Sequence, residues 1–416
     1  VTSQRIVVVG GGAAGFFAAI TCAQARPDAR VSILEAGPDF LAKVRISGGG
    51  RCNVTHACFD PRILAGHYPR GERTLRGAFR LFQPGDTIDW FESRGVKLVT
   101  QEDGCLFPAT DSSQTIIDCF LREARNAGVN LCNRCRVEQV RRMEDGFELV
   151  LAGGERMTCD RLLLATGGCR TAEGAALAVS LGHAIEPPVP SLFTFNVGTG
   201  WLRALAGVVV EVVEASVPGS GLRERDTLLL THWGVSGPVI LRISAWGARV
   251  LHERHYQFPL LVNWMPHLTP EAITAQLQAA RNAQPARLVV NSPLPPLTAR
   301  LWEQLVLASG IPRPTRWSGL SRQAQHNLVG QLIRTGLPVT GKSTNKEEFV
   351  TCGGVKLGEV DFKTMESRLC PGLHFAGELL DIDGLTGGFN FQAAWTTGWI
   401  AGLAMAEVDV TGSKWE

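Results

Sequence analysis

The first 35 residues constrain this chain more than any other stretch. Residues 5–9 (RIVVV) are a short unbroken apolar run of the kind that forms fully buried parallel strands. GGGAAG follows at 10–15, then a small-residue stretch that reads as a helix from 13 to about 24, then a strand at 31–35 (VSILE). A lone G-x-G-x-x-G is weak, but a strand, a glycine turn, a helix and a second strand ending in an acid are the context this motif demands. Gly10 permits the tight turn, Gly12 lets backbone approach a pyrophosphate, and Gly15 allows helix and strand to pack closely. The helix N-terminus then offers free N–H groups and a partial positive charge to phosphates. Glu35 stands 20 residues after Gly15, where a carboxylate accepts hydrogen bonds from both ribose hydroxyls and repels a 2′-phosphate. The expected ligand here is FAD or NAD rather than NADP.

Composition agrees with a nucleotide-binding globular protein. Glycine makes up 46 of 416 residues, above the average of about 7% and without collagen-like or low-complexity periodicity. Such an excess goes with backbone lying close against a ligand. Lys+Arg 41 against Asp+Glu 39 leaves a net charge of +2, which argues against a dedicated nucleic-acid binder. With 45% hydrophobic residues the chain can bury a large core, and its length predicts two to three domains at ~150 residues each. Eleven cysteines, an odd number over a long chain, do not make a secreted disulfide framework. The first strand begins almost at residue 1, so no signal peptide is expected and the cytoplasm is the expected compartment. Between Asp383 and Glu407 lie 23 uncharged residues, long enough to cross a bilayer at ~20. The polar Asn390, Gln392, Thr396 and Thr397, with five glycines and no flanking basic cluster, favour a helix buried in protein instead.

Further along, helices are expected at 86–99 and 112–127, a hairpin over 136–151 turning at Asp145-Gly146, and a buried strand at 161–166. From about 187 the texture changes to antiparallel strands at 208–217 and 227–230, then to helices at 270–281, 297–309 and 321–335 separated by proline-rich loops. Parallel-sheet texture returns near 349, with a strand at 373–376 and a last helix from about 389 to 406. The expected fold class is α/β: a Rossmann-like, glutathione-reductase-type FAD-binding domain built from both chain ends (1–188 and 346–416). An antiparallel β-barrel-like domain (189–266 and 336–345) and a small helical region (267–335) are inserted in it.

Two more clusters carry chemistry. In KVRISGGGRCNVTH at 43–56, three glycines flanked by Arg51, Cys52 and Asn53 read as a binding loop, with a plain mobile linker as the alternative. In FAGELLDIDGLTGGFN at 375–390, Gly377-Glu378 ends a strand and repeats the logic of Glu35. Gly387-Gly388 opens a helix whose N-terminus suits the electron-rich edge of a reduced flavin. With THWGVSGP at 231–238, VTCGGV at 350–355 and GLHFAGELLDIDGLTGGFNFQAAWTTGWIAG at 372–402, these motifs resemble the HI0933/YhiN-like (BaiN-type) family of NAD(P)/FAD-dependent oxidoreductases over essentially the whole chain. The resemblance implies noncovalent FAD held by Gly10, Gly12, Ala13, Ala14 and Gly15, and by Glu35, Ala36 and Lys43. In the glycine loop it implies Ser47, Gly50, Arg51, Cys52 and Asn53, and beyond it Val137, Ala165, Thr166 and Gly167. Towards the C-terminus it implies Gly377, Glu378, Asp383, Gly387, Gly388, Phe389 and Asn390. Enone reductase and amine oxidase activities are assigned to some members. Where the family usually has Asn this chain has Cys58, which inherits no role.

Cys52 and Cys58 are separated by five residues, whereas disulfide reductases of the glutathione-reductase type use CxxxxC. Direct electron passage from flavin to substrate is therefore expected, with Cys52 a thiol beside the flavin edge. Cys132-x-x-Cys135 has no second CxxC to complete a zinc site and reads as structural; with no HxH or HExxH, no metal site is expected. His56 and His232 lie inside motifs and join Cys52 as candidates for the catalytic group, against the alternative of hydrogen-bonded structural histidines. The expected reaction passes hydride from NADH or NADPH, bound transiently, through flavin N5 to a small organic substrate, enone-type reduction first. An amine oxidase using oxygen and a noncatalytic flavin-binding sensor are the competing readings. The expected partner is a small molecule, with no nucleic acid and no membrane span; oligomeric state and substrate identity have no sequence signal.

Overall fold

The run Arg5–Val9 lies inside a seven-stranded sheet, where its buried valines meet neighbours on both sides: Val7 pairs with Ser32 on one and Leu162 on the other. In this computed structural model, which describes residues 3–169, 175–198, 200–343 and 350–409, the sheet order is Val360–Asp361, Glu366–Ser367, Leu373–Phe375, Arg161–Leu164, Arg5–Val9, Arg30–Leu34, Asn130–Cys132. The last five are parallel and the first two form an antiparallel edge. From Arg5–Val9 the chain moves to one side through Arg30–Leu34 and returns on the other through Arg161–Leu164. Such a switch point opens a crevice at the carboxyl ends of the strands, where ligands of open α/β sheets bind. The GGGAAG turn stands there.

The described residues of 3–191 and 350–409 form one compact unit, and 192–343 with the exception of 199 form a second. The first unit is closed by the uncharged C-terminal stretch, which is the helix Phe389–Met405, buried along most of its length. Among the described residues no helix is long and apolar enough to cross a membrane. Its polar side chains are satisfied by protein: Gln392 Oε1 accepts from the hydroxyls of Thr55 at 2.5 Å and Thr87 at 2.9 Å, and Trp395 Nε1 donates to the Val54 carbonyl at 2.8 Å. The helix crosses Ala13–Ala25 backbone to backbone. A Cβ on Gly398 would lie 2.6 Å from the Ala14 carbonyl oxygen, and one on Gly402 2.6 Å from that of Ala18, so both positions require glycine.

His374 on Leu373–Phe375 is fully buried, and desolvation pushes its pKa down from 6.5 to about 3. The fold holds it neutral, while the unfolded chain takes up a proton below about 6.5, so this residue's contribution is lost as pH falls from 6.5 towards 3. Stability should drop by up to about 1.4 kcal/mol per pH unit across that window. His374→Leu should flatten the drop, read from urea midpoints at about pH 7 and about pH 5.

The second unit is a closed six-stranded antiparallel barrel, ordered Thr194–Val197, Gly234–Ser236, Arg223–Leu230, Val209–Ser216, Phe258–Asn263, Thr335–Ser343. Between its last two strands the chain forms the helices Pro270–Ala283, Ala299–Ala308 and Arg322–Arg334, each started by a Thr or Ser whose hydroxyl accepts a first-turn N–H. Barrel residues such as Phe195, Val213 and Leu260 share one core with Trp302, Leu305 and Leu332 of the helices. Two expectations need correction. The helix expected over 86–99 is Pro84–Glu92 followed by the strand Leu98–Thr100, because Gly95 takes a left-handed conformation (φ 79°) and Val96 N–H closes on the Phe91 carbonyl. The strand expected at 227–230 starts at Arg223, its outer half held in the ladder by Glu214 flanked by Arg223 and Arg225. The expected boundary at 345/346 lies outside the described residues.

Candidate functional site

The glycine turn does three separate things. Gly10 has φ 113°, and a Cβ there would lie 2.3 Å from the Ala165 carbonyl oxygen; one on Gly15 would lie 2.0 Å from that of Gly10. These two glycines let the first strand, its neighbour and the helix Ala13–Ala25 close on each other. Gly12 differs: a Cβ there meets no described atom within 4 Å, so its face is open beside the helix N-terminus. Glu35 reaches back to this turn. Its carboxylate accepts from Gly11 N–H at 2.8 Å and from Gly37 N–H at 2.7 Å. Its backbone is clamped by the C-x-x-C segment, with Glu35 N–H on the Cys132 carbonyl and Cys135 N–H on the Glu35 carbonyl, both 2.8 Å. Cys132 and Cys135 thus shape the strand end that carries Glu35. Ala36 is exposed just beyond it.

The second cluster begins as a helix at Ala42, which breaks at Ser47; Gly48, Gly49 and Gly50 then take left-handed conformations. Cβ atoms on Gly49 and Gly50 would meet no described atom, and neither would one on Gly167 (φ 81°). Ser47 Oγ donates to the Val44 carbonyl at 2.9 Å, and Arg51 lies 4.2 Å over the Phe107 ring with Asp111 at 3.5 Å. Cys52 is fully buried, and desolvation pushes its thiol up to about 12. It stays protonated at neutral pH, so the thiol candidate offers no thiolate. Cys58 is half-buried and its thiol is also raised by burial; all eleven cysteines are free.

The third cluster is joined to the second. The Asn53 amide, oriented to satisfy both neighbours, donates to the Thr55 carbonyl at 3.0 Å and accepts from Gly388 N–H at 3.2 Å. A Cβ on Gly388 would lie 2.6 Å from Thr55 backbone, so the N-terminus of Phe389–Met405 rests directly on the strand that follows the glycine loop. Lys43 forms an ion pair with Glu378, which lies beside Gly168. Gly377 N–H donates to Thr397 Oγ1 at 3.0 Å, and Asn390 holds Gly384 through its N–H and carbonyl at 2.8 and 3.0 Å. Asp383, expected among the cofactor contacts, is instead fully buried; both carboxylate oxygens are taken by Arg70, and one also accepts from Ser191 Oγ at 2.7 Å. It fixes the loop that leads to Gly387 and Gly388.

Phe389, His56 and His67 form a cluster of near-parallel rings, with ring centres 4.7 Å (Phe389–His56), 4.3 Å (Phe389–His67) and 6.1 Å (His56–His67) apart. His56 Nε2 faces the Asp103 carbonyl oxygen at 3.1 Å and therefore carries the hydrogen, while its Nδ1 is buried without a partner among the described residues. Burial, and then the charge of His67, lower the His56 pKa, so it is a neutral ring at neutral pH. His232 lies in the other unit, on the turn between Arg223–Leu230 and Gly234–Ser236, edge-on to Trp233 at 4.2 Å. Val137 is buried in a separate three-stranded sheet, and the Ala165 N–H donates to Val9 at 2.8 Å, with Thr166 following. Among the described residues no group of three His, Cys, Asp or Glu side chains could hold a metal. His67, Arg70 and Phe107 went unread in the sequence. Arg70 had one signal: a carboxylate in the uncharged surroundings of Asp383 needs a cation from elsewhere.

A glycine cradle at a sheet switch point, an acid on its far strand and a second helix N-terminus find their counterpart in known proteins. The model of the HI0933-like protein Rossmann domain matches residues 4–404. The chain belongs to this family. With it the protein joins the FAD-dependent oxidoreductases of Rossmann-type fold. It is 31% identical, over 97% of its length and 99% of the relative's, to the 3-dehydro-bile acid delta(4,6)-reductase of Clostridium scindens. It is 32% identical, over 94% of its length and 96% of the relative's, to the ribosomal RNA dihydrouridine synthase of Escherichia coli. Among solved structures, 3-ketosteroid-delta4-(5alpha)-dehydrogenase from Rhodococcus jostii RHA1 shares the fold, with TM-score 0.52 at 16% identity over 97% of both chains.

Proposed function

We propose that this member of the family binds FAD noncovalently along its glycine loops and reduces a carbon–carbon double bond conjugated to a carbonyl, with NADH or NADPH as transient electron donor. The observation that carries the cofactor reading is the glycine cradle. Gly12, Gly49, Gly50 and Gly167 all leave open faces, and the Glu35 carboxylate is anchored at the mouth of the turn by two backbone N–H groups that leave lone pairs for ribose hydroxyls. When bound there, FAD supplies hydride transfer at flavin N5. The chain's own part is placement. The N-terminus of Ala13–Ala25 faces phosphate, and that of Phe389–Met405 offers N–H groups for negative charge on a reduced ring. Neutral His56, its hydrogen committed to Asp103, acts as a wall that positions Phe389 rather than as an acid.

The reaction class draws on two relatives. Each double bond of a Δ4,6-diene conjugated to a 3-oxo group, like the C5=C6 bond of uracil conjugated to C4=O, is reduced by addition of two electrons and two protons. Both a small enone and a uracil ring satisfy this chemistry.

Anaerobic mixing of the FAD-loaded protein with NADH or NADPH should bleach the flavin band, and adding an enone should restore it. Flavin that ignores both donors but bleaches with an amine would replace this reading by the oxidase one. Electron passage without a thiol relay predicts that dithionite titration consumes about two electrons per flavin, the capacity of a flavin alone. Cys58→Ser should leave that titration unchanged. Consumption of about four, with a long-wavelength charge-transfer band, would show a working dithiol.

A further inference from the structure

The helical segment 267–335 contains seven arginines against two glutamates, with no lysine or aspartate. Its formal charge of +5 exceeds the +2 of the whole chain, so the remainder is net acidic. Within this segment the helices Pro270–Ala283 and Arg322–Arg334 enclose an open groove of about 1120 Å³. Through Thr274, Gln278 and His326 it runs on into a second groove of about 700 Å³.

The groove walls are polar. Gln278, His326, Asn327 and Gln331 present amide and imidazole edges, Arg281, Arg322 and Arg334 supply positive charge, and Glu271 stands at one end. Arg281 is held in place by the Leu320 and Ser318 carbonyls at 3.2 and 3.3 Å. Arg322 and Arg334 are exposed, and among the described residues neither makes an ion pair or side-chain hydrogen bond. Gly330 adds an independent sign. It sits in the middle of a helix, exposed, where a Cβ would meet no described atom. Glycine there weakens the helix relative to alanine, and no packing in the fold demands it. Its effect is to leave the groove wall open to close approach.

Unpaired arginines for phosphates, beside amides and an imidazole for base edges and 2′-hydroxyls, match one class of ligand. We propose that this groove docks folded RNA. The use made of the RNA rests on the reductase reading; the docking is measured without turnover.

The test is filter binding of in-vitro-transcribed ribosomal RNA to the FAD-loaded protein over a series of salt concentrations. The parent should bind saturably. Arg322→Glu with Arg334→Glu should raise Kd at least about tenfold and reduce the slope of log affinity against log salt by about two. Arg313→Glu with Arg316→Glu, the same change of charge outside the groove, should raise Kd less than about threefold. Gly330→Leu changes no charge and favours the helix, yet should weaken binding several-fold by filling the wall. FAD per chain and the thermal midpoint verify that each variant is folded. No saturable binding by the parent would overturn the proposal. So would equal losses in the two charge-reversed pairs, or parent-like binding by Gly330→Leu. Bleaching by NADH or NADPH on the same samples reports separately on the reductase reading.

Discussion

Arg70→Met is expected to lower folding stability by about 3–5 kcal/mol, the usual consequence of removing one partner from a buried ion pair. Asp383 is fully buried and gives both oxygens to the Arg70 guanidinium, so methionine would fill similar space but leave the carboxylate with Ser191 Oγ as its remaining polar contact from this set. Ser191→Ala, which deletes one neutral donor, should cost only about 1 kcal/mol. Pairing Arg70→Met with Asp383→Leu should recover much of the loss, because an apolar pair needs no compensation. Because Asp383 anchors the approach to Gly387 and Gly388, the single variant should also release FAD more readily. Urea midpoints on FAD-free protein separate the two effects, and a shift below about 1 kcal/mol there would mean that the pair does not hold the loop.

Glu35→Ala is expected to weaken FAD affinity ten- to a hundredfold, corresponding to about 1.5–3 kcal/mol for charge-assisted hydrogen bonds to ribose. The same carboxylate holds the Gly11 and Gly37 N–H groups, so its loss also frees the turn that shapes the phosphate cradle. Glu35→Gln keeps an acceptor for one of these N–H groups and should fall between parent and alanine. Titration of flavin-free protein with FAD gives the affinities, and the thermal midpoint of the same protein shows whether the fold survives. Parent-like affinity in the alanine variant would remove Glu35 from the ribose.

The signals read correctly from sequence are short-range. Strand, glycine turn, helix and Glu35 lie within 35 residues, and each step follows from local backbone chemistry. The burial of Phe389–Met405 was also legible, since its threonines, Gln392 and glycines suit a protein interior better than lipid. The extension of a helix over 86–99 failed because an apolar period continued past Gly95, and only the left-handed turn there separates helix from strand. The sequence did not say which remote residues meet, even where Asp383 signalled the need for a cation. Arg70 and Asp383 are 313 positions apart, and the approach of Gly388 to Asn53 and Thr55, like the stacking of His56 and His67 on Phe389, depends on the folded chain. The near-neutral charge of the whole chain hid a segment of strong local sign, because summing over 416 residues averages away the arginines of 267–335.

The glycine-mediated crossing of Phe389–Met405 over Ala13–Ala25 sets an order of assembly during synthesis. The barrel and its helices are contiguous in the chain and can condense once residue 343 has left the ribosome. The N-terminal helix emerges far earlier, yet Ala14 and Ala18 meet their partners only when Gly398 and Gly402 appear. Until then the face that carries Ala14 and Ala18 stays uncovered, although Phe16 and Phe17 already have partners in Phe40, Trp90 and Phe120, and the unit that carries the glycine cradle is completed last. Truncation within the last helix should therefore leave nascent chains with a folded barrel and an N-terminal helix bare on one face, a state suited to chaperone capture rather than to FAD.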